Sequence, residues 1–218
     1  MIESDTPNEA ETQAIKQMFL ATSDFVWGAQ NIGQLPPGDL PEIGFVGRSN
    51  VGKSSLINAL MQQRALAIVS RTPGRTRQLN AFTLGGRGLL VDMPGYGYAK
   101  ISKMDRDIWD DMIITYLQGR AKLMGVFMLI DSRHGLRDMD KDVLKLLAKA
   151  AVSTRLILTK IDELKNDTQR DQAVEKLRAD LRPFGSAHPE PLALSAHSGE
   201  GIETLRLTIA RFILSAGG

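Results

Sequence analysis

Gly47-Arg48-Ser49-Asn50-Val51-Gly52-Lys53-Ser54-Ser55 is the stretch on which the reading of the whole chain turns. Before it, Pro41-Glu42-Ile43-Gly44-Phe45-Val46 has the continuous apolar character of a short buried strand, and after it Ser54 to Met61 opens an amphipathic helix. Two glycines separated by four residues and followed by Lys and Ser, set between a strand and a helix, form a loop that wraps phosphate. The glycines permit backbone turns that aim successive N–H groups inward, and the helix N-terminus adds partial positive charge. On this pattern Lys53 neutralises the β and γ phosphates of a nucleotide, and the Ser54 hydroxyl binds Mg²⁺.

Working outward, residues 1–8 are polar and read as a tail, and Ala10 to Leu20 as a short helix with Ile15, Met18 and Phe19 on one side. Gly28 to Pro41 is a Gly/Pro-rich connector. Beyond the first helix, Arg64 to Gln78 has no period and contains Pro73-Gly74, which predicts a loop of fifteen residues. Leu79 to Leu84 and Gly88 to Asp92 then form a hairpin around Gly85-Gly86-Arg87. A glycine-rich break follows, and then a helix through about Leu117. From there strands at 126–130, 155–158 and 191–194 alternate with helices at 138–150, 168–181 and 202–214. Alternation with apolar strands predicts an α/β fold, a mostly parallel sheet covered by helices on both faces, with one antiparallel strand from the hairpin.

Such sheets bind ligands at the carboxyl ends of their strands, and four candidate groups lie there. Asp92-Met93-Pro94-Gly95 places an acid able to hold Mg²⁺ three residues before a backbone N–H able to meet a γ-phosphate. Thr159-Lys160-Ile161-Asp162 offers a carboxylate that would accept from guanine N1–H and its 2-amino group, with Lys160 over the ring. Ser195-Ala196-His197 offers the Ala196 N–H to guanine O6, although as a tripeptide it equally suits a simple turn before a helix. Within the long loop, Gly74-Arg75-Thr76 supplies a hydroxyl for Mg²⁺ and the γ-phosphate, so that GTP would order the loop; Thr72 competes for the role.

Composition narrows the alternatives. The 218 residues suit one domain, 43% hydrophobic and 24% charged, and there are no cysteines, which removes disulfides, thiol catalysis and thiolate metal sites. No apolar run approaches a membrane span, and Glu3, Asp5, Glu9 and Glu11 stand where a signal peptide would be basic, so a cytoplasmic chain without membrane contact is expected. The net charge is only +2, yet Arg64 to Lys103 holds seven basic residues against one acid, Asp92, which predicts a basic face suited to RNA. His134, His188 and His197 are too scattered for a metal site.

Together with Pro73-Gly74-Arg75-Thr76, Asp92 to Lys100 (Asp-Met-Pro-Gly-Tyr-Gly-Tyr-Ala-Lys), Asp131-Ser132-Arg133-His134 and Thr159 to Asp162, the phosphate loop makes the chain resemble the translation-factor-like GTPases. Within them it is similar to the EngB (YihA/YsxC) ribosome-assembly GTPases, over about Ser23 to Leu214. The resemblance implies a three-layer P-loop GTPase fold with a six-stranded sheet at 23–214, a short N-terminal extension at 1–22 and a tail at 215–218. It also implies GTP and GDP as ligands, Mg²⁺, hydrolysis, and a role in maturing the large ribosomal subunit, with a part in cell division; a monomer is expected. Thr159 departs from the Asn commonest in the superfamily. Tyr96 stands where Ras-like enzymes carry the water-orienting Gln, so intrinsic hydrolysis should be slow. Asn50 suggests K⁺ beside the phosphates, as in related GTPases with Asn at that place, against the plainer role of an Asn in a turn. Catalysis would rest on Lys53, Asn50, Thr76 and Gly95, and Ser54, Thr76 and Asp92 would hold the metal. A switch with negligible hydrolysis and a P-loop kinase are the competing readings.

Overall fold

The computed structural model describes residues 7–63, 66–67, 78–97 and 103–216, without the side chains of residue 32 and residues 103–110. The order is α1 (Glu9–Leu20), β1 (Phe25–Ala29), β2 (Glu42–Gly47), α2 (Lys53–Leu60), β3 (Leu79–Leu84), β4 (Gly88–Asp92) and α3 (Lys103–Gly119). It continues with β5 (Leu123–Asp131), α4 (Asp138–Lys149), β6 (Thr154–Thr159), α5 (Asp167–Leu181), β7 (Leu192–Ala193) and α6 (Ile202–Ser215).

One sheet runs β1-β3-β4-β2-β5-β6-β7. Strands β4, β2, β5, β6 and β7 pair in parallel, and β3 is antiparallel to both of its neighbours, so it is the single reversed strand. The expected α/β sheet therefore stands, with seven strands where six were expected. The added one, Phe25-Val26-Trp27-Gly28-Ala29, lies on the edge beyond the hairpin and is defined by its ladder to β3 (Trp27 opposite Ala81, Ala29 opposite Leu79). A five-residue edge segment has no period of its own; only the partner strand makes it one.

Helices cover both faces. One core layer joins α3, α4 and α5 to the sheet through Ile113, Tyr116, Leu144, Leu147, Leu177 and Leu181. The other joins α1, α2 and α6 through Phe19, Leu56, Leu60, Leu205 and Ile209. The N-terminal helix is docked: Asn8 caps it, Glu11 pairs with Arg211 of α6 at 3.0 Å, and it crosses the hairpin turn at Gly85. A Cβ at Gly85 would fall 2.6 Å from Met18 Cα, so glycine is required for that approach.

Buried charges fix the elements that carry the site. Arg206 of α6 donates to Leu60 O (3.0 Å from Nε) and Ala59 O (3.1 Å), closing the C-terminus of α2 while lying 5.5 Å over the Phe19 ring. Glu42, fully buried at the start of β2, accepts from Tyr116 Oη at 2.7 Å and from Arg120 Nε and Nη2 at 3.0 and 2.7 Å. Burial first, then the adjacent Glu42 charge, pushes the Tyr116 hydroxyl well above the ordinary phenol range. Among the described residues no helix is long and apolar enough to cross a membrane.

Candidate functional site

The loop between β2 and α2 bends where its sequence permits. Asn50 (φ 65) and Gly52 (φ 101) take left-handed backbone, which glycine adopts freely and Asn tolerates best among residues with a Cβ. The first bond inside α2 is Leu56 N–H to Gly52 O at 2.8 Å, so the amides of Lys53, Ser54 and Ser55 precede the helical ladder and point past its N-terminus. That geometry favours an anion. The conformation of Asn50 is by itself a sufficient reason for Asn at this position.

Strand β4 ends alongside. Ser49 N–H donates to Tyr96 O at 2.9 Å and Tyr96 N–H to Gly47 O at 3.3 Å, which brings the Asp92 to Gly95 segment against the loop. A Cβ on Gly95 would meet Ser49 N and Oγ at 3.3 Å, so the backbones approach as closely as glycine allows. Lys53 and Asp92, both buried, form an ion pair at the loop's mouth. Met93, fully buried, points into the core beneath Gly44, and Val51 is core as well; both can serve a ligand only through their main chains.

Tyr96 does not face the loop mouth. Its ring is in the core and its hydroxyl donates to Asp140 Oδ1 at 2.7 Å, while Asp140 Oδ2 accepts from Arg137 N–H at 2.8 Å and so caps α4. Burial, and then the charge of Asp140, hold the phenol well above its ordinary range.

A second region lies past the ends of β6 and β7, on the far side of β5. A pocket of about 280 Å³ is lined by Gly52, Ser55, Lys160, Asp162, Ala196 and His197, together with Leu56, Thr159, Glu163 and Leu194. Two contacts join it to the phosphate loop. Thr159 Oγ1 donates to Val51 O at 2.8 Å, so the Thr that replaces the commoner Asn supports the loop and turns its hydroxyl inward. Lys160 Nζ donates to Asn50 O at 2.8 Å and to Asp131 Oδ2 at 2.9 Å. The buried Ser195 hydroxyl accepts from His197 N–H at 3.1 Å and Ser198 N–H at 3.0 Å, which shapes the loop that places Ala196 at the pocket.

The structure thus gathers Gly47 to Ser55, Asp92 to Gly95, Thr159 to Asp162 and Ser195 to His197 at one edge of the sheet. Gly74, Arg75 and Thr76, and with them most of the basic stretch from Arg64 to Lys103, lie outside the described residues or have no described side chain. Sequence reasoning gave no task to Asp131, Ser132 and Arg133, which touch the turn before and after Asp162. An acid ending an apolar strand, as Asp92 does, was the available signal.

A parallel sheet with a glycine-bounded phosphate loop after its central strand is the architecture of the P-loop GTPases. Residues 42–160 match the family model described as 50S ribosome-binding GTPase. A protein from Gluconobacter oxydans named probable GTP-binding protein EngB is 47% identical over 206 residues, covering 94% of this chain and 90% of that one. One of the same name from Rhodopseudomonas palustris is 48% identical over 200 residues, covering 91% and 92%. A crystal structure of a probable GTP-binding protein EngB, 25% identical, superposes with a TM-score of 0.60 over 80% of this chain and 99% of that chain. A single-substitution variant of Aquifex aeolicus Era bound to GDP and AlF4⁻ shares the fold at 21% identity and a TM-score of 0.63, over 79% of this chain and 56% of that one. The protein is a P-loop GTPase by class. The chain belongs to the EngB family of GTP-binding proteins.

Proposed function

We propose that the chain hydrolyses GTP to GDP and phosphate and that the bound nucleotide switches its association with the large ribosomal subunit or its precursor. One observation supports the nucleotide assignment: the loop that carries Lys53 is tied to the turn that carries Asp162, by Thr159 to Val51 and by Lys160 to Asn50, and Gly52 and Ser55 of that loop line the pocket beside Asp162. Lys53 and the amides of Gly52 to Ser55 take the phosphates, and Asp162 with the Ala196 N–H takes guanine. The buried Asp92 carboxylate and the Ser54 hydroxyl are hard oxygen donors suited to Mg²⁺, and Thr76 is the third oxygen proposed. When bound, that ion supplies neutralisation of phosphate charge. Gly95, whose backbone reaches Ser49, presents its N–H to the γ-phosphate.

The buried Tyr96 side chain is committed to Asp140, so it does not orient water, and slow intrinsic turnover follows. K⁺ held with the help of Asn50 is proposed to raise it. The ribosomal partner is supported by the description of the matching family and by the basic character of residues 64–103, which suits RNA. A cytoplasmic location and a part in cell division belong to the same reading.

Titration calorimetry with GTP and ATP tests the base assignment: guanosine ligands should bind far more tightly, and equal affinity would overturn it. Turnover in KCl and NaCl at equal ionic strength tests the cation, with identical rates removing K⁺. Binding to ribosomal particles should fall with salt and depend on the nucleotide loaded; indifference to both would remove the RNA contact.

A further inference from the structure

Asp131, the last residue of β5, and Ser132 and Arg133 after it lie directly beside the turn that carries Asp162 and have no part in the proposed nucleotide contacts. Ser132 N–H donates to Thr159 O at 3.0 Å and its hydroxyl to Lys160 O at 3.1 Å. Asp131 accepts from the Lys160 ammonium at 2.9 Å. Arg133 grips Asp131 with two prongs, Nε at 2.8 Å and Nη2 at 2.6 Å, and its remaining arm reaches Glu163. The tripeptide therefore holds residues 159, 160 and 163, bracketing Asp162 on both sides.

The turn requires such support. Lys160 is left-handed at φ 60, a conformation disfavoured for a residue with a Cβ. Its carbonyl accepts from Ser132, just past β5, and its ammonium donates to Asp131 at the end of β5, so both its main chain and its side chain are anchored there. Burial opposes ionisation of Asp131, but the bonds from Arg133 and Lys160 outweigh it and hold the carboxyl below the usual carboxylate range. The anion that anchors Lys160 is thus present at neutral pH. A carboxylate that must meet guanine N1–H and the 2-amino group with both oxygens in the ring plane is sensitive to small displacements of its turn.

We propose that Asp131 and Arg133 are positioning residues for base selection, holding the Lys160–Glu163 turn so that both oxygens of Asp162 engage guanine. The proposal rests on the assignment of Asp162 to the base. The plain alternative is a solvated ion-pair network, since Arg133 and Glu163 side chains are 39% and 42% exposed, and such networks contribute little.

Hypoxanthine nucleotides lack the 2-amino group, so the ratio of GDP to IDP affinity reports whether the second Asp162 oxygen is in place, which a loss of stability alone would not change. Affinities for GDP and IDP are measured by calorimetry on the full chain and on Arg133→Gln, Arg133→Lys, Glu163→Gln and Asp162→Asn, with melting temperatures alongside. Arg133→Gln should narrow the GDP/IDP preference by roughly tenfold, the scale of one charge-assisted hydrogen bond. Arg133→Lys should restore only part, because an ammonium cannot make the two-pronged grip. Glu163→Gln, an exposed change that cuts only the outer arm, should narrow the ratio about two- to threefold. Ratios within about twofold of the unchanged protein in Arg133→Gln, and no change in Glu163→Gln, overturn the proposal whatever the melting temperatures do. Asp162→Asn separates the two levels: if it too keeps the GDP/IDP preference, the base assignment itself fails; if it alone abolishes the preference, only the positioning role does.

Discussion

Tyr96→Phe removes one oxygen and, with it, the hydrogen bond to Asp140 Oδ1 at 2.7 Å. Both residues are in the interior, 6% and 1% exposed, so no water replaces the lost donor. Asp140 keeps its bond from Arg137 N–H, but one buried carboxylate oxygen is left unsatisfied, at a cost of about 1–3 kcal/mol. For a domain of this size each kcal/mol lowers the melting temperature by about 2–4 °C, so a central loss of about 2 kcal/mol predicts a fall of roughly 4–8 °C. Urea unfolding should give the same loss, and a cycle with Asp140→Ala should show coupling of about 1–2 kcal/mol. Because the hydroxyl faces α4 and not the loop mouth, single-turnover GTP hydrolysis should change by less than about threefold, about 0.7 kcal/mol in the barrier. The opposite pattern, stability unchanged and hydrolysis down by about a hundredfold or more, would refute the placement of Tyr96 and give it the water-orienting task.

Three further outcomes are expected. Arg120→Ala strands the fully buried Glu42 and should cost about 3–5 kcal/mol in urea unfolding, with a change in tryptophan emission because Arg120 lies 5.7 Å over Trp27. The pH dependence of stability has two limbs. Asp131 has its folded pKa below the usual 3.8, so its contribution is present above about pH 4 and lost as pH falls further; Asp131→Asn should flatten the acid limb. Tyr96 and Tyr116 are raised above 10, so their contribution is present below pH 10 and declines above it; tyrosinate absorbance should show them ionising only with unfolding. Gly85→Ala, strained at φ 55 and thrust against Met18, should cost about 1–3 kcal/mol and loosen α1, seen as faster cleavage within residues 9–20 by limited proteolysis.

Local pattern was enough for much of the fold. Leu79–Leu84 and Gly88–Asp92 flank a Gly-Gly turn, and their strands have the predicted ends; the apolar strands and the helices after residue 120 differ from expectation by a few residues at their termini. These elements announce themselves because each carries its own period and its own punctuation. The candidate groups at 47–55, 92–95, 159–162 and 195–197 were legible for a related reason: a parallel sheet puts every strand's carboxyl end on one edge, so residues distant in the chain become neighbours once topology is known.

What stayed hidden depended on partners that no local window contains. Strand β1 exists through its pairing with residues 79–82, far along the chain, and the inward turn of Tyr96 exists because Asp140 on α4 meets it. Thr159 supports the loop at Val51, and Asp131 and Arg133 clamp the turn around Asp162; a strand end in sequence says that an acid is there but not which cation it will meet. Residue type and spacing determined which chemistry this chain can bring to a nucleotide. Only packing decided which of those groups face the site and which are spent holding the others still, because hydrogen bonds and ion pairs are fixed by distance in space, and distance along the chain does not set it.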